Sequence, residues 1–167
     1  PGTGRRYHGS RPPRRGVGGR ARPANAGNRG RGGTGARQRA RGEIARSLQV
    51  EQGTDIFHLL LVHAENGTPV QVEDRHVLAS FAPHCLEQDF ATVTPSAYLT
   101  SVAPLQEADH IVRAVMPNAA VRQYLQMADD EPALVVIRRT WSKGKPVTFT
   151  RLHHPGSRYE LTGRLET

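Results

Sequence analysis

Two tight turns constrain the fold of this chain more than any other feature of it. Asn66-Gly67-Thr68-Pro69-Val70 and Lys143-Gly144-Lys145-Pro146-Val147 share the pattern Gly-x-Pro-Val, 77 residues apart. Each turn lies between two runs rich in β-branched or bulky apolar residues: Asp55 to His63 and Pro69 to Leu78 around the first, Ala133 to Trp141 and Pro146 to His153 around the second. An Asn-Gly pair adopts positive φ at little cost, which suits a hairpin turn, and a Pro straight after it opens the return strand where no ladder donor is needed. The pattern predicts two β-hairpins, duplicated around a shared sheet.

The stretches between the hairpins fill in the rest. Glu43 to Leu48 carries apolar positions at helical spacing and is closed by Gly53. Pro83 to Phe90 and Pro95 to Ser101 read as short helices, each begun by a Pro that tolerates the first turn. Glu107 to Met116 reads as a strand ended by Pro117, and Asn118 caps a helix through Met127 with Ala119, Ala120, Val121, Tyr124 and Leu125 as its apolar stripe. A last strand, Tyr159 to Leu165, follows the Pro155-Gly156 turn. This order implies an α+β domain: a mostly antiparallel sheet with flanking helices.

Charge divides the chain in two. The net charge of +8 averages a segment from Pro1 to Arg41, with 12 Arg, 11 Gly and no acid, and a remainder holding 11 bases and all 15 acids. The first segment has almost nothing to bury, so residues 1–41 are expected to be a disordered Arg/Gly/Pro-rich tail before a folded domain at 42–167. It can be an arginine-rich arm for single-stranded nucleic acid, although Tyr7 is its one aromatic, or a solvated linker, or GC-rich DNA read outside its frame. The acidic surplus of the remainder gives it no electrostatic reason to coat nucleic acid. The longest aliphatic run, Leu59 to Val62, is far below the roughly 18 residues of a membrane span. No apolar segment of a secretory signal follows the basic N-terminus. Cys85 is alone, so no intrachain disulfide or Cys-based zinc site can form, and a reducing cytoplasm fits.

Four tags, in order, carry a resemblance. They are Val62-His63-Ala64-Glu65-Asn66-Gly67-Thr68-Pro69-Val70-Gln71-Val72-Glu73-Asp74-Arg75; Gln88-Asp89-Phe90 with Thr94-Pro95 and Tyr98-Leu99; Arg138-Arg139-Thr140-Trp141-Ser142; and His154-Pro155-Gly156-Ser157-Arg158-Tyr159. They resemble the UTRA effector-binding domain of GntR-family transcription regulators of the HutC subfamily. The resemblance implies a chorismate-lyase-like α+β fold, a small-molecule inducer, homodimerisation through this domain, and repressor activity without catalysis. For regulators of histidine breakdown the implied inducer is urocanate or a similar small carboxylate. Such regulators reach operator DNA through a winged helix-turn-helix ahead of this domain, and Pro1 to Arg41 has no apolar periodicity from which one can be built.

A planar acid with an imidazole needs a cation at one end and an acceptor or donor at the other. Glu73 and Arg75 are two apart and share one face of the return strand, while Asp74 and His76 share the other. Glu73 with Arg75 is thus the first candidate pair, against the plainer reading of a surface ion pair. By resemblance, Ser96 and Tyr98 belong to an effector loop, and His63 stands where sugar-phosphate-binding relatives keep an Arg. Arg151 and His153 share a face and can grip a carboxylate, with Tyr159 after them and Arg158 as a lock for the loop at Pro155. Arg139 is expected to pair with an acid on a neighbouring strand, and Trp141 to cap the core.

Rival chemistries find little support. The implied fold is shared with a lyase that removes pyruvate from chorismate, and Arg plus Glu in a pocket could serve such chemistry, but the tags match the regulators, and no Gly-x-Ser-x-Gly, P-loop or His-Glu-x-x-His occurs. His153 and His154 point to opposite faces of a strand, and the other histidines are scattered, so neither a metal site nor a cofactor is expected. A truncated sensor without regulatory output, and a nucleic-acid binder acting through its arginine arm, are the alternatives to a ligand sensor.

Overall fold

Both hairpin turns form as the residues require. Asn66 and Gly67 take φ of 49° and 81°, and Lys143 and Gly144 take 50° and 73°, so both central positions of each turn are left-handed. The computed structural model describes residues 29–161. There the chain forms β1 (Arg29–Arg39), α1 (Gly42–Leu48), β2 (Asp55–Glu65), β3 (Thr68–Leu78), α2 (Pro95–Val102), β4 (Glu107–Val115), α3 (Ala119–Leu125), β5 (Ala133–Ser142) and β6 (Lys145–Pro155). All strands join one antiparallel sheet in the order β1-β2-β3-β6-β5-β4.

The duplication extends well beyond the hairpins. Adding 77 to the bounds of α1 and of β3 gives the bounds of α3 and of β6. Each of these helices ends in a left-handed Gln, Gln49 or Gln126, at φ near 50°. In the middle of the sheet Asp74 lies opposite Arg151, its own counterpart in the repeat, so a pseudo-twofold axis passes between them. Each helix packs across that axis, α1 on β6 and α3 chiefly on β3. They bury Leu48 and Phe149 on one side and Val72, Val121 and Leu125 on the other. The opposite sheet face is covered by the 79–104 crossover, where Phe57, Leu59 and Val77 pack against Ala82, Cys85 and Leu99.

Four expectations need correction. The Gly-rich segment is not wholly unstructured: β1 takes residues 29–39 of it into the sheet, so the folded unit starts before Gly42. What orders it is the main-chain ladder to β2. A Cβ at Gly33 would lie 1.9 Å from Leu61 Cδ2, and one at Gly35 2.8 Å from Leu86 Cδ2, so glycine lets this strand lie against large side chains. The rest of the predicted tail, 1–28, lies outside the described residues. Pro83 to Phe90 yields only a 3-10 turn at Cys85–Glu87, because His84 provides no side-chain cap and Gln88 is already extended. On α3, Asn118 Oδ1 accepts from Val121 N–H as predicted, but only Val121 and Leu125 are buried and Tyr124 is 44% exposed. Tyr159 and Glu160 form no strand, since β6 already has β3 and β5 on its two edges; 162–165 lies outside the described residues.

Candidate functional site

Alternation along β3 decides which groups meet. Glu73 and Arg75 project to the face under the crossover, where their cross-strand partners on β2 are Leu61 and Leu59. Glu73 is 4% and Arg75 2% exposed, an unusual depth for two charges. Arg75 Nε donates to Glu73 Oε1, and His63 Nε2 donates to Glu73 Oε2 across 2.8 Å. Burial alone would raise the Glu73 carboxyl, but Arg75 and His63 together outweigh it and hold it at about 2. The carboxylate is therefore ionised and fully engaged.

Arg75 has donors to spare. Its Nη2 donates to Ser96 Oγ at 3.2 Å, and Arg138 Nη2 donates to the same oxygen at 3.3 Å. The register explains the convergence. Leu59, Arg75, Thr150, Arg138 and His110 are successive cross-strand partners, one row running over five strands. Ser96 is set above that row by α2, which starts at Pro95 and is capped by Thr94 Oγ1 accepting from Ala97 N–H. Burial, then the nearby Arg75, push the Arg138 guanidinium down to about 10. Arg138 Nε and Thr150 Oγ1 are buried with no hydrogen-bond partner. Two guanidiniums and a hydroxyl thus converge at the wall of a cavity of about 350 Å³ that Thr100, Gln106, Glu107 and His110 also line. Such a volume suits a small ligand.

A second cavity of about 350 Å³ opens on the same face beside His63, lined by Leu59, Leu61, Leu86, Phe90 and Asp89. Among the described residues that line it there is no arginine.

The sequence candidates separate into two groups. His63, Glu73, Arg75 and Ser96 are brought together. Tyr98 belongs to the crossover core instead: its ring meets Phe90 edge-on at 6.3 Å and lines neither cavity, and burial followed by Cys85 and Glu87 raises its hydroxyl. Arg151 and His153 point to the opposite face. Arg151 pairs there with Glu43 at 2.6 Å and Asp74 at 3.5 Å, so its guanidinium is engaged by the chain's own carboxylates and does not join Glu73 and Arg75. Tyr159 stacks on His154, ring centroids 3.7 Å apart. Arg158 is a lock, but a different one: it donates to the carbonyls of Pro69, Leu125 and Gln126, joining the first hairpin to the end of α3. Arg139 pairs with Asp109 on β4, as expected; its guanidinium also lies over the Trp141 ring. The residue that sequence reasoning missed is Arg138. Its signal was the alternation Val136, Arg138, Thr140, which places a lone cation on the inward face of a central strand.

Compared with known proteins, residues 34–160 match the family model of the UTRA domain. The chain belongs to the UTRA domain family. This UTRA domain is 51% identical over 122 residues to the histidine utilization repressor of Pseudomonas putida, covering 73% of the chain and 49% of the relative. It is 48% identical over 120 residues to that of Klebsiella aerogenes, covering 72% and 50%. The chain spans about half the length of the curated relatives it matches. The C-terminal domain of the histidine utilization repressor from Pseudomonas syringae pv. tomato superposes with a TM-score of 0.76 at 46% identity, covering 81% of this chain and 99% of that one. The effector domain of PhnF from Mycobacterium smegmatis has the same fold: TM-score 0.74 at 18% identity, covering 80% and 84%. The curated relatives are named histidine utilization repressors, and the solved structure with which this UTRA domain superposes is the C-terminal domain of one.

Proposed function

We propose that this UTRA domain senses a small carboxylate, urocanate, and belongs to a cytoplasmic, homodimeric repressor of histidine-utilisation genes. The observation that carries the reading is the convergence of Arg75 Nη2 and Arg138 Nη2 on Ser96 Oγ, beside an unpartnered Arg138 Nε. A carboxylate placed there takes charge-assisted hydrogen bonds from two planar forks, which a bare hydroxyl can only partly satisfy. The Ser96 hydroxyl proton remains free to donate to the same ligand. Glu107 and His110 line the same cavity and offer an acceptor and a donor for an imidazole edge. The names of the curated relatives, about half of whose length this chain spans, support the choice of urocanate over other small acids.

Regulation follows if the inducer binds one arrangement of α2 over the sheet better than another, because only a difference in affinity between states moves an equilibrium. Isothermal titration of urocanate and of histidine into the full chain tests the assignment. Saturable urocanate binding is expected, at least tenfold weaker in Arg138→Met and in Ser96→Ala, with no binding of histidine, whose ammonium would meet two guanidiniums. Urocanate affinity unchanged in a folded Arg138→Met variant refutes the site, and no binding to the folded parent chain refutes the ligand.

A further inference from the structure

The other face of β3 carries a cluster that effector binding leaves unused. His58 on β2 and Asp74 and His76 on β3 each offer one nitrogen or oxygen, and these atoms all lie within 4.8 Å of one another. Register produces the cluster: His58 and His76 are cross-strand partners, and Asp74 precedes His76 by two residues, so all three project from one face. We propose that His58, Asp74 and His76 bind a divalent first-row transition ion, for which Zn²⁺ is the reference.

The donors are arranged for it. Asp74 Oδ1 is 2.7 Å from His58 Nε2 and 3.8 Å from His76 Nδ1, while Oδ2 turns to Arg151 at 3.5 Å. One carboxylate oxygen faces the imidazoles and the other faces the cation. Arg151 is itself held by Glu43 at 2.6 Å, which offsets its charge and leaves that of Asp74 for an ion. The His76 side chain is 9% exposed and its Nδ1 has no hydrogen-bond partner, an orphaned donor atom aimed at Asp74.

His58 has a supporting partner as well. Its Nδ1 is 3.2 Å from the side-chain amide of Gln38 on β1. With that amide turned so that Oε1 accepts from Nδ1–H, Nε2 is left to the ion, the usual outer-shell device for a ligating histidine. His58 and Asp74 remain 26% and 24% exposed, which gives an ion a way in and leaves room for water as a fourth ligand. The two imidazoles are stacked, with ring centroids 4.6 Å apart and planes 9° from parallel. Their lone pairs converge once the rings turn and the donors close to about 3.3 Å, the edge of a tetrahedron with bonds of about 2.0–2.1 Å. Two imidazoles and one carboxylate favour Zn²⁺, Co²⁺ or Ni²⁺ over Mg²⁺ or Ca²⁺.

The test is Zn²⁺ titrated into the full chain and followed in imidazole ¹H–¹⁵N spectra. His58 and His76 are expected to shift together, complete at one equivalent, while His154 on the opposite face stays in place. Isothermal titration is expected to give one site, at least tenfold weaker in His76→Gln and in Asp74→Asn and unchanged in His84→Ala. Absence of binding, shifts confined to other histidines, or an affinity untouched by His76→Gln in a folded protein overturns the proposal. The spectra of the unmodified chain decide the matter even if a variant loses its fold.

Discussion

Replacing Arg138 with Met is expected to stabilise the domain while removing its ligand affinity. The guanidinium is pushed from 12.5 to about 10, by burial first and by Arg75 second, so folding is opposed as long as the group is charged. At about 1.4 kcal/mol per pKa unit the ceiling of this cost is ~3.5 kcal/mol. Against it stands one long hydrogen bond, to Ser96 Oγ at 3.3 Å. That bond contributes about 1 kcal/mol. Met retains the apolar part of the contact, and the net gain is about 1–2 kcal/mol, or roughly 3–6 °C in Tm for a domain of this size. Calorimetry of the two proteins at pH 7 measures it. The sign also predicts a pH signature. Between pH 10 and 12.5 the unfolded chain binds more protons at this residue, so parental stability rises there and its deficit relative to the variant closes, whereas from pH 6 to 9 the deficit is constant. A Tm lowered in Arg138→Met refutes the reasoning, because it means that the arginine stabilises the fold as well as facing the ligand.

Three further outcomes follow from the same geometry. Glu73→Gln leaves Arg75 without its buried partner and should cost about 3–5 kcal/mol in urea unfolding at pH 7. Because the Glu73 carboxyl is lowered from 4.5 to about 2, its stabilisation is complete above pH 4.5 and fades as pH falls through 2, so a parent–variant gap that stays constant down to pH 2 refutes the assignment. His154 is lowered from 6.5 to about 4, chiefly by burial, so the unfolded chain takes up the proton first and stability falls as pH drops from 6.5 to 4. His154→Gln should flatten that part of the unfolding profile, and an unchanged slope rules the residue out. Arg158→Ala strands three carbonyls and should cost about 2–4 kcal/mol, with amide exchange quickened first at α3; exchange unchanged there shows that the lock is inessential.

The local parts of the fold were legible because local chemistry decides them. Asn66-Gly67 and Lys143-Gly144 have the turn geometry their residues favour, and Thr94-Pro95 and Asn118 start helices as caps should. The pairing of Glu73 with Arg75 was equally visible, because it needs only the two-residue period of one strand. Arg151 and His153 were misassigned for a reason of the opposite kind. Their face depends on the β3–β6 register, a pairing between distant segments, and shifting a register by one residue turns every side chain over. β1 was missed because glycines that make room for Leu61 and Leu86 have the same composition as glycines that order nothing. Arg138 was passed over because its neighbour Arg139 looks identical in sequence, yet one faces Ser96 and the other Asp109.

The twofold repeat also sets up an asymmetry of content on a symmetric frame. Glu73, Asp74 and Arg75 of the first half correspond, 77 residues later, to Thr150, Arg151 and Leu152 of the second. Since β3 and β6 run side by side, Glu73 is paired with Leu152 and Arg75 with Thr150, so each member of the ion pair adjoins the neutralised address of the other. On the proposed reading, one copy carries the ligand-facing pair and its twin lacks it. The scaffold therefore offers a second, unprogrammed set of ligand positions an inter-strand spacing from the first, where recognition can be rewritten by exchanging side chains without moving the backbone.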